Sequence, residues 1–183
     1  MPFRKTEAAD IDSFFAAALA KARRHTYLKR LAAAVLLAAL AVWVLFGVVF
    51  EIATVRGVSM LPTLRDGTVV LAYRLGPEPK PGDVVLIRST QRRDYIKRVI
   101  GVPGDTIGID AETGTVIRNG EPLAEPYAAG PTLPREDGLA FPVTLGEGEY
   151  LLLGDNRAVS SDGRDWGLID KEQIKARVIL PDI

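Results

Sequence analysis

The sequence LAAAVLLAALAVWVLFGVVF, residues 31–50, divides the chain into two parts of different character. It contains no charged residue over 20 positions. A helix of that length spans about 30 Å, which is the thickness of the hydrocarbon core of a bilayer. The segment therefore predicts a single transmembrane helix over residues 31–50. The alternative, a helix buried inside a soluble domain, would need a larger protein around it than the remaining chain provides.

The charges on either side of this segment predict its orientation. Only Arg56 follows it closely, whereas four basic residues stand shortly before it. Because cytoplasmic flanks are enriched in Lys and Arg, residues 1–30 are expected in the cytoplasm and residues 51–183 outside the cell membrane. A cleaved signal peptide fits less well, since no small-x-small site follows residue 50. The basic residues before the segment are Arg23, Arg24, Lys29 and Arg30.

The composition excludes several kinds of chemistry. There is no Cys, which removes thiol nucleophiles, disulfides and thiolate metal sites. The single histidine, His25, lies before the apolar segment, so no His-based triad or His-rich zinc site can form in residues 51–183. That part of the chain holds more Asp and Glu than Lys and Arg, which argues against a nucleic-acid partner. We expect no metal ion and no other cofactor.

The pattern after the apolar segment is that of β-strands. Residues 51–58 are expected to form a short tether, and the β pattern begins at Val55. Asn119-Gly120 is typical of a two-residue hairpin turn, and residues 128–142, rich in Gly and Pro, predict a long exposed loop. Short runs rich in β-branched residues, separated by Gly and Pro, predict strands at residues 68–73, 83–87, 95–100, 115–117, 150–153 and 176–180. The expected fold class is all-β, after a single N-terminal transmembrane helix.

Three segments of the β region carry reactive side chains. The first is SMLPTL, residues 59–64, in which Ser59 precedes a proline. The second is YIKRVIGVPGD, residues 95–105, and the third is GDNRAVSSDGRDWG, residues 154–167. Each segment alone is also compatible with an ordinary turn, an exposed edge strand or a solvated loop. It is their combination that carries information about function.

Lys97 is the candidate base in the second segment. Alternation along a strand places Tyr95, Lys97 and Val99 on one face and Ile96, Arg98 and Ile100 on the other. The apolar neighbours on its face predict that Lys97 is buried. Burial disfavours the ammonium form and lowers the pKa, which is what a lysine general base requires.

In this order, the three segments resemble the conserved blocks of type I signal peptidases, a family of Ser/Lys-dyad serine proteases. The resemblance extends from the apolar segment to the C-terminus, and GDNRxxSxDxR at residues 154–164 is its most specific part. It implies an all-β catalytic domain of antiparallel sheets over residues 51–183, with a small β cap at about residues 103–148. It also implies a membrane-anchored endopeptidase that cleaves preproteins after small-x-small motifs through an acyl-enzyme.

The resemblance also implies roles for individual residues. Ser59 corresponds to the nucleophile and Lys97 to the general base. Ser160 corresponds to the serine that orients the lysine, and Gly57 stands in the oxyanion loop, where other members have Ser, beside the Ser59 N–H. Further support is implied for the pair Asp162 and Arg164 and for Arg98 with Asp155. The implied substrate pockets are formed by Val55, Met60, Leu64, Tyr95 and Ile96, and an extended substrate would lie between residues 55–57 and 94–97.

Gly163 departs from the family pattern, where Ser is usual, and we expect it to affect loop geometry rather than chemistry. Three other functions are compatible with parts of the sequence. A pilin-processing peptidase of the same clan would differ in substrate alone. A self-cleaving repressor would share the dyad but has no membrane anchor. A membrane-tethered β domain that only binds partners would leave Ser59 and Lys97 without a catalytic role.

Overall fold

The computed structural model describes residues 3–88 and 94–181 and divides the chain into two compact units, Met1–Leu45 and Phe46–Ile183. The predicted segments 1–30 and 51–183 thus each extend outside the described residues. Helix α1, Phe3–Val44, occupies nearly all of the first unit. It is uninterrupted because no Gly or Pro occurs between residues 3 and 46, where Ala and Leu are frequent.

The end of the apolar segment differs from the prediction. A short π-helical stretch, Leu45–Val49, follows α1, and residue 50 already begins strand β1, Phe50–Thr54. The stretch Leu19–Val49 is long and apolar enough to cross a membrane. The expected helix to residue 50 is therefore one residue too long. The expected tether at residues 51–58 is also wrong, because its first four residues pair with a neighbouring strand as part of a sheet.

The second unit is built from two antiparallel sheets, which confirms the all-β fold class. The larger sheet has the strand order β1-β2-β11-β3-β4-β9-β10, and the smaller one has the order β7-β6-β5-β8. After β1, the strands are β2 Val69–Tyr73, β3 Val84–Arg88, β4 Asp94–Gly101, β5 Thr106–Asp110, β6 Thr115–Arg118, β7 Glu121–Pro122, β8 Val143–Thr144, β9 Glu149–Leu153, β10 Ile169–Asp170 and β11 Ile174–Leu180. A one-turn helix, α2 Gly163–Trp166, and a 3-10 turn, Lys171–Gln173, complete the unit.

The six predicted strands correspond to β2, β3, β4, β6, β9 and β11. The predicted hairpin turn is present: Asn119 and Gly120 have φ angles of 56° and 86° and connect β6 to β7. Both are in the left-handed region that a type I′ turn requires, and Asn-Gly tolerates it best. Residues 128–142 contain no strand, as predicted, but Thr132 is only 1% exposed. This loop is therefore not exposed throughout.

A buried apolar cluster fixes the segment that carries Ser59. Met60 and Leu64 are each 1% exposed and pack with side chains of β2, β3 and β11. The Leu64 N–H donates to the Met60 carbonyl at 2.8 Å, so residues 60–64 form a tight turn. Burying two such side chains stabilises this arrangement by roughly 3–6 kcal/mol before entropy is considered. Ser59 consequently stands at the edge of the core, on a turn that the core holds in place.

Candidate active site

Ser59 and Lys97 are brought together from distant parts of the chain. Lys97 Nζ lies 2.9 Å from Ser59 Oγ, within hydrogen-bond distance. Lys97 is 2% exposed, whereas Ser59 is half-buried and lines a cleft. A hydroxyl that is accessible from outside and an amine behind it form the arrangement that an activated serine nucleophile requires.

The position of Lys97 in β4 accounts for its burial. Lys97 is opposite Val85 on β3, and pairing of β4 with β9 begins at the next residue, Arg98 opposite Leu153. Burial lowers the pKa of Lys97 to about 8, against the opposing influence of the Asp162 and Asp155 carboxylates. With that pKa, about one amine in ten is neutral at pH 7, compared with about one in 2,500 for an exposed lysine.

The loop after β9 holds the Ser59 turn through its backbone. The Asn156 N–H donates to the Ser59 carbonyl at 3.0 Å, and Asn156 Nδ2 donates to the Val58 carbonyl at 3.2 Å. Gly154 permits this approach, because a Cβ there would lie 2.7 Å from the Ser59 carbonyl oxygen and 2.6 Å from the Ser160 Cβ. Asn156 lies in the GDNR motif but was not among the residues predicted to form the site.

The expected pair of Arg98 with Asp155 is present and buried. Arg98 Nε and Nη2 donate to the two Asp155 oxygens at 2.8 and 2.7 Å, and Arg98 Nη1 donates to the Gly82 carbonyl at 2.7 Å. Thr63 Oγ1 also donates to Asp155, at 2.5 Å, and the ring of Tyr127 lies 4.0 Å from the guanidinium carbon. This network joins β4, the Ser59 turn and the loop after β9. Thr63 is another residue that the sequence analysis missed.

The pair of Asp162 and Arg164 is also buried and shapes the same loop. Arg164 Nε and Nη2 donate to Asp162 at 2.9 and 3.0 Å, and Arg164 Nη2 also donates to the Arg157 carbonyl at 2.7 Å. Asp162 caps helix α2 and accepts the Gly154 N–H at 3.0 Å. Burial by itself would raise the pKa of Asp162, but the hydrogen bonds and charge of Arg164 bring it below the usual value.

A second buried arginine, Arg157, was not singled out from the sequence. It is 1% exposed, and its two terminal nitrogens donate to the Glu125 carboxylate at 2.9 and 2.6 Å. Its Nε donates to the Gly154 carbonyl at 3.0 Å, and Nη1 also contacts Thr132. Arg157 thus connects the loop after β9 to the segment between β7 and β8, which explains the burial of Thr132.

Two expected contacts are absent in this conformation. Ser160 is 1% exposed and packs beside Gly154, but no hydrogen bond joins its hydroxyl to Lys97, whose amine contacts Ser59 instead. The Gly57 N–H, in the expected oxyanion loop, donates to Asp66 Oδ1 at 2.7 Å. Among the described residues, the Ser59 N–H has no hydrogen-bond partner. It is therefore a free donor beside the nucleophile.

A cleft of about 650 Å³ leads to Ser59 and Lys97. Four of the five expected pocket residues line it: Val55, Met60, Tyr95 and Ile96. Leu64 does not, because it lies in the apolar core together with the buried parts of Val55 and Met60. Leu64 is thus not among the residues that line the cleft in this structure, and its assignment to a substrate pocket stays a prediction.

Two strand edges without backbone partners border the cleft. In the described part of the chain, β1 pairs with β2 alone. Among the described strands, the first half of β4, residues 94–97, pairs with β3 alone, because β9 joins β4 only from Arg98 onward. Both edges present free N–H and C=O groups, and an extended peptide can pair with groups of this kind.

Comparison with known proteins places this chain in a family. The model of the family described as "Signal peptidase, peptidase S26" matches residues 28–181. Signal peptidase IB of Staphylococcus aureus is 38% identical over 143 residues, which cover 68% of this chain and 73% of that protein. Signal peptidase I of Bacillus licheniformis is 40% identical over 139 residues, covering 68% and 72%. The crystal structure of a signal peptidase I from Enterococcus faecalis is similar with a TM-score of 0.46 and 26% identity, over 56% of this chain and 98% of that one.

Proposed function

The chain belongs to the type I signal peptidases of peptidase family S26, and we propose that Ser59 and Lys97 form the dyad with which it cleaves signal peptides from preproteins. The observation that supports this most strongly is the 2.9 Å approach of the buried Lys97 amine to the Ser59 hydroxyl. His25, the one histidine, lies outside the β-rich unit, so an imidazole base is not available to Ser59 there.

In the acylation step, the neutral amine of Lys97 accepts the Ser59 proton while Oγ attacks the carbonyl carbon of the scissile peptide bond. The tetrahedral intermediate then collapses, and the C–N bond breaks. The Lys97 ammonium donates the proton to the departing amine, which becomes the N-terminus of the mature protein. The signal peptide remains as an ester on Ser59, and Lys97 is neutral again.

Deacylation uses the same groups. Lys97 accepts a proton from a water molecule that attacks the ester carbonyl, and the bond to Oγ breaks. Lys97 passes this proton to Ser59 Oγ, and the signal peptide leaves as a carboxylic acid that releases its own proton to solvent. In the acyl-enzyme the amine of Lys97 has lost the Ser59 hydroxyl as a partner. We propose that the buried Ser160 hydroxyl then orients the amine.

The developing oxyanion needs hydrogen-bond donors. The Ser59 N–H is the first, since it is free and adjacent to the nucleophile. The Gly57 N–H can be the second only if it leaves Asp66, to which it donates in this structure. Gly57 has a φ angle of 84° and no side chain to obstruct such a rotation.

The substrate is proposed to bind as an extended strand between β1 and the first half of β4. Backbone pairing with the two free edges supplies sequence-independent affinity. Val55, Met60, Tyr95 and Ile96 line the cleft, and we propose that they form the pockets for the small side chains before the cleaved bond. The buried pairs Arg98–Asp155 and Asp162–Arg164 support the dyad indirectly, by holding β4 and the loop after β9 against the Ser59 turn.

The N-terminal helix is proposed to anchor the enzyme in the cell membrane. Its apolar stretch has exposed side chains, with Leu36, Leu37 and Trp43 about two-thirds exposed, and a bilayer would cover them. The basic residues before it support a cytoplasmic N-terminus and a catalytic unit outside the membrane. In this proposal residues 1–30 are cytoplasmic, the span ends at Val49, and the smaller sheet forms the cap within residues 103–148.

Cleavage of a purified preprotein by Ser59→Ala tests this proposal. We expect the rate to fall at least about 10³-fold, because the hydroxyl forms the covalent intermediate. Ser161→Ala is the matched control, since Ser161 is an exposed serine of the loop next to the site. It should cleave like the unaltered enzyme, and circular dichroism should show both variants folded. Cleavage by Ser59→Ala at the control's rate would overturn the dyad, whereas absence of cleavage by the unaltered protein would favour a β domain that only binds partners.

A further inference from the structure

Lys175 on β11 contacts two carboxylates that belong to different strands. Its Nζ lies 2.8 Å from Glu51 Oε1 on β1 and 2.5 Å from Asp94 Oδ2, at the start of β4. The residue sits at an irregularity of β11, where the register against β3 shifts between Ile174 and Ala176. Such bulges redirect a side chain from the direction that regular alternation would give it.

Glu51 and Asp94 both line the cleft that leads to Ser59. Three strands, β2, β11 and β3, separate β1 from β4 in the sheet, so no backbone pairing joins the two walls in the described part of the chain. Lys175 links their side chains. We define the three residues Glu51, Lys175 and Asp94 as the clasp.

The clasp is held firmly on its β1 side. Arg74 donates to the second oxygen of Glu51 at 3.1 Å and to the Gly47 carbonyl at 2.7 Å. The side chains of Lys175 and Glu51 are 19% and 14% exposed, so their charges are partly shielded from water. Ion pairs that are partly buried and held by several partners exceed the small contribution of isolated surface pairs.

The clasp is remote from the dyad along the strands. Asp94 precedes Lys97 by three residues, about 10 Å at the strand rise of about 3.3 Å per residue. Tyr95 and Ile96, which line the cleft, lie between these points, and the proposed function assigns them to the pockets for small residues before the cleaved bond. A peptide in the cleft therefore passes the clasp with residues roughly four to six positions before that bond.

We propose that Lys175 is a positioning and specificity-determining residue, which sets the separation of the two cleft walls and neutralises the carboxylates that face the early part of the bound signal peptide. This inference rests on the proposed function, in which the cleft holds the substrate. Without the Lys175 charge, Glu51 and Asp94 would repel each other and repel an acidic substrate residue, whereas they would attract a basic one.

The test uses the full chain in detergent and four synthetic peptides with one small-x-small cleavage site. Three long peptides carry Ala, Lys or Glu at the fifth position before the cleaved bond, and a short one begins three residues before it. The variants are Lys175→Met and Lys175→Arg. Lys171→Met is the matched control, because Lys171 pairs with Glu78 on the surface, outside the cleft.

For Lys175→Met we expect the ratio of KM for the Glu peptide to KM for the Lys peptide to rise by about tenfold, the effect of one altered charge contact. For the short peptide, KM and kcat should stay within about twofold of the unaltered enzyme, within the usual effect of a distant change. Lys175→Arg should restore the ratio, and Lys171→Met should not change it.

An unchanged ratio, or an equal loss on long and short peptides, would overturn the inference. If Lys175→Met does not fold, Asp94→Asn provides the second test, since Asp94 is 43% exposed and removal of its charge should lower the same ratio. Failure of the proposed function can be distinguished from failure of this inference. In that case Ser59→Ala would retain cleavage, whichever residue stands at position 175.

Discussion

Lys97 is a buried basic residue, and its burial destabilises the charged ammonium form relative to the neutral amine. In an unfolded chain a lysine keeps its proton up to about pH 10.4, but in the folded protein burial lowers the pKa of Lys97 to about 8. Between these values the unfolded state binds more protons, so the stability contributed by this residue rises with pH. Below pH 8 the burial of the ammonium opposes folding in full.

Replacement of Lys97 by Met should therefore stabilise the protein while it abolishes activity. At pH 7 the free energy of unfolding should increase by roughly 3 kcal/mol, the equivalent of the shift in pKa. At pH 10.5 most of this gain should disappear, because the lysine is then neutral in the folded state and about half neutral in the unfolded state. Urea unfolding at the two pH values measures the difference, with Lys80→Met as the exposed control. A gain that is equal at both pH values would show that the Lys97 charge is not responsible.

Strand β4 shows how far the sequence alone reaches. Its apolar residues predicted the strand and the burial of Lys97, and the family blocks indicated the partner, Ser59. Alternation did not predict that Arg98 is buried as well, since that depends on both faces of β4 being covered once β9 pairs with it. The ion pair with Asp155 compensates the buried charge of Arg98. This pair was implied by the family resemblance rather than by the strand pattern.

Other features depend on tertiary contacts that no local pattern contains. Strand β1 was missed because it is short and begins at the last residue of the apolar segment, directly after the helical stretch. Asn156 and Thr63 act through bonds to distant parts of the chain, at Ser59 and Asp155. Leu64 was assigned to the cleft by correspondence, whereas the packing of its neighbours turns it into the core.

The link between β4 and the loop after β9 gives a prediction for stability. Asp155 is 0% exposed and Arg98 4% exposed, so removal of either leaves a buried charge without its partner. Arg98→Met and Asp155→Asn should each destabilise the protein, Arg98→Met by about 3–5 kcal/mol. The double variant should lose clearly less than the sum, because no uncompensated charge remains. Denaturant unfolding of the four proteins measures this coupling, and additive losses would contradict it.

At the scale of the whole molecule, the boundary between the two units decides which part of the chain can work alone. A chain that begins at Phe46 retains β1 and every residue of the cleft, so it should fold and cleave short peptides. A chain that begins at Val55 lacks β1 and one wall of the cleft, and it should not cleave them. Peptide cleavage and near-UV circular dichroism compare the two. Equal activity would show that β1 is the dispensable tether that its sequence resembled.

The dependence of kcat/KM on pH, measured with the full chain and a preprotein substrate, tests the Ser59–Lys97 dyad most directly. If neutral Lys97 is the base, kcat/KM should rise about tenfold per pH unit on the acid side and level off near pH 8, where the buried amine loses its proton. Lys97→Arg should be inactive at every pH, because a guanidinium stays protonated. A rate that is independent of pH between 6 and 9, or an active Lys97→Arg enzyme, would contradict the assignment of Lys97 as the base.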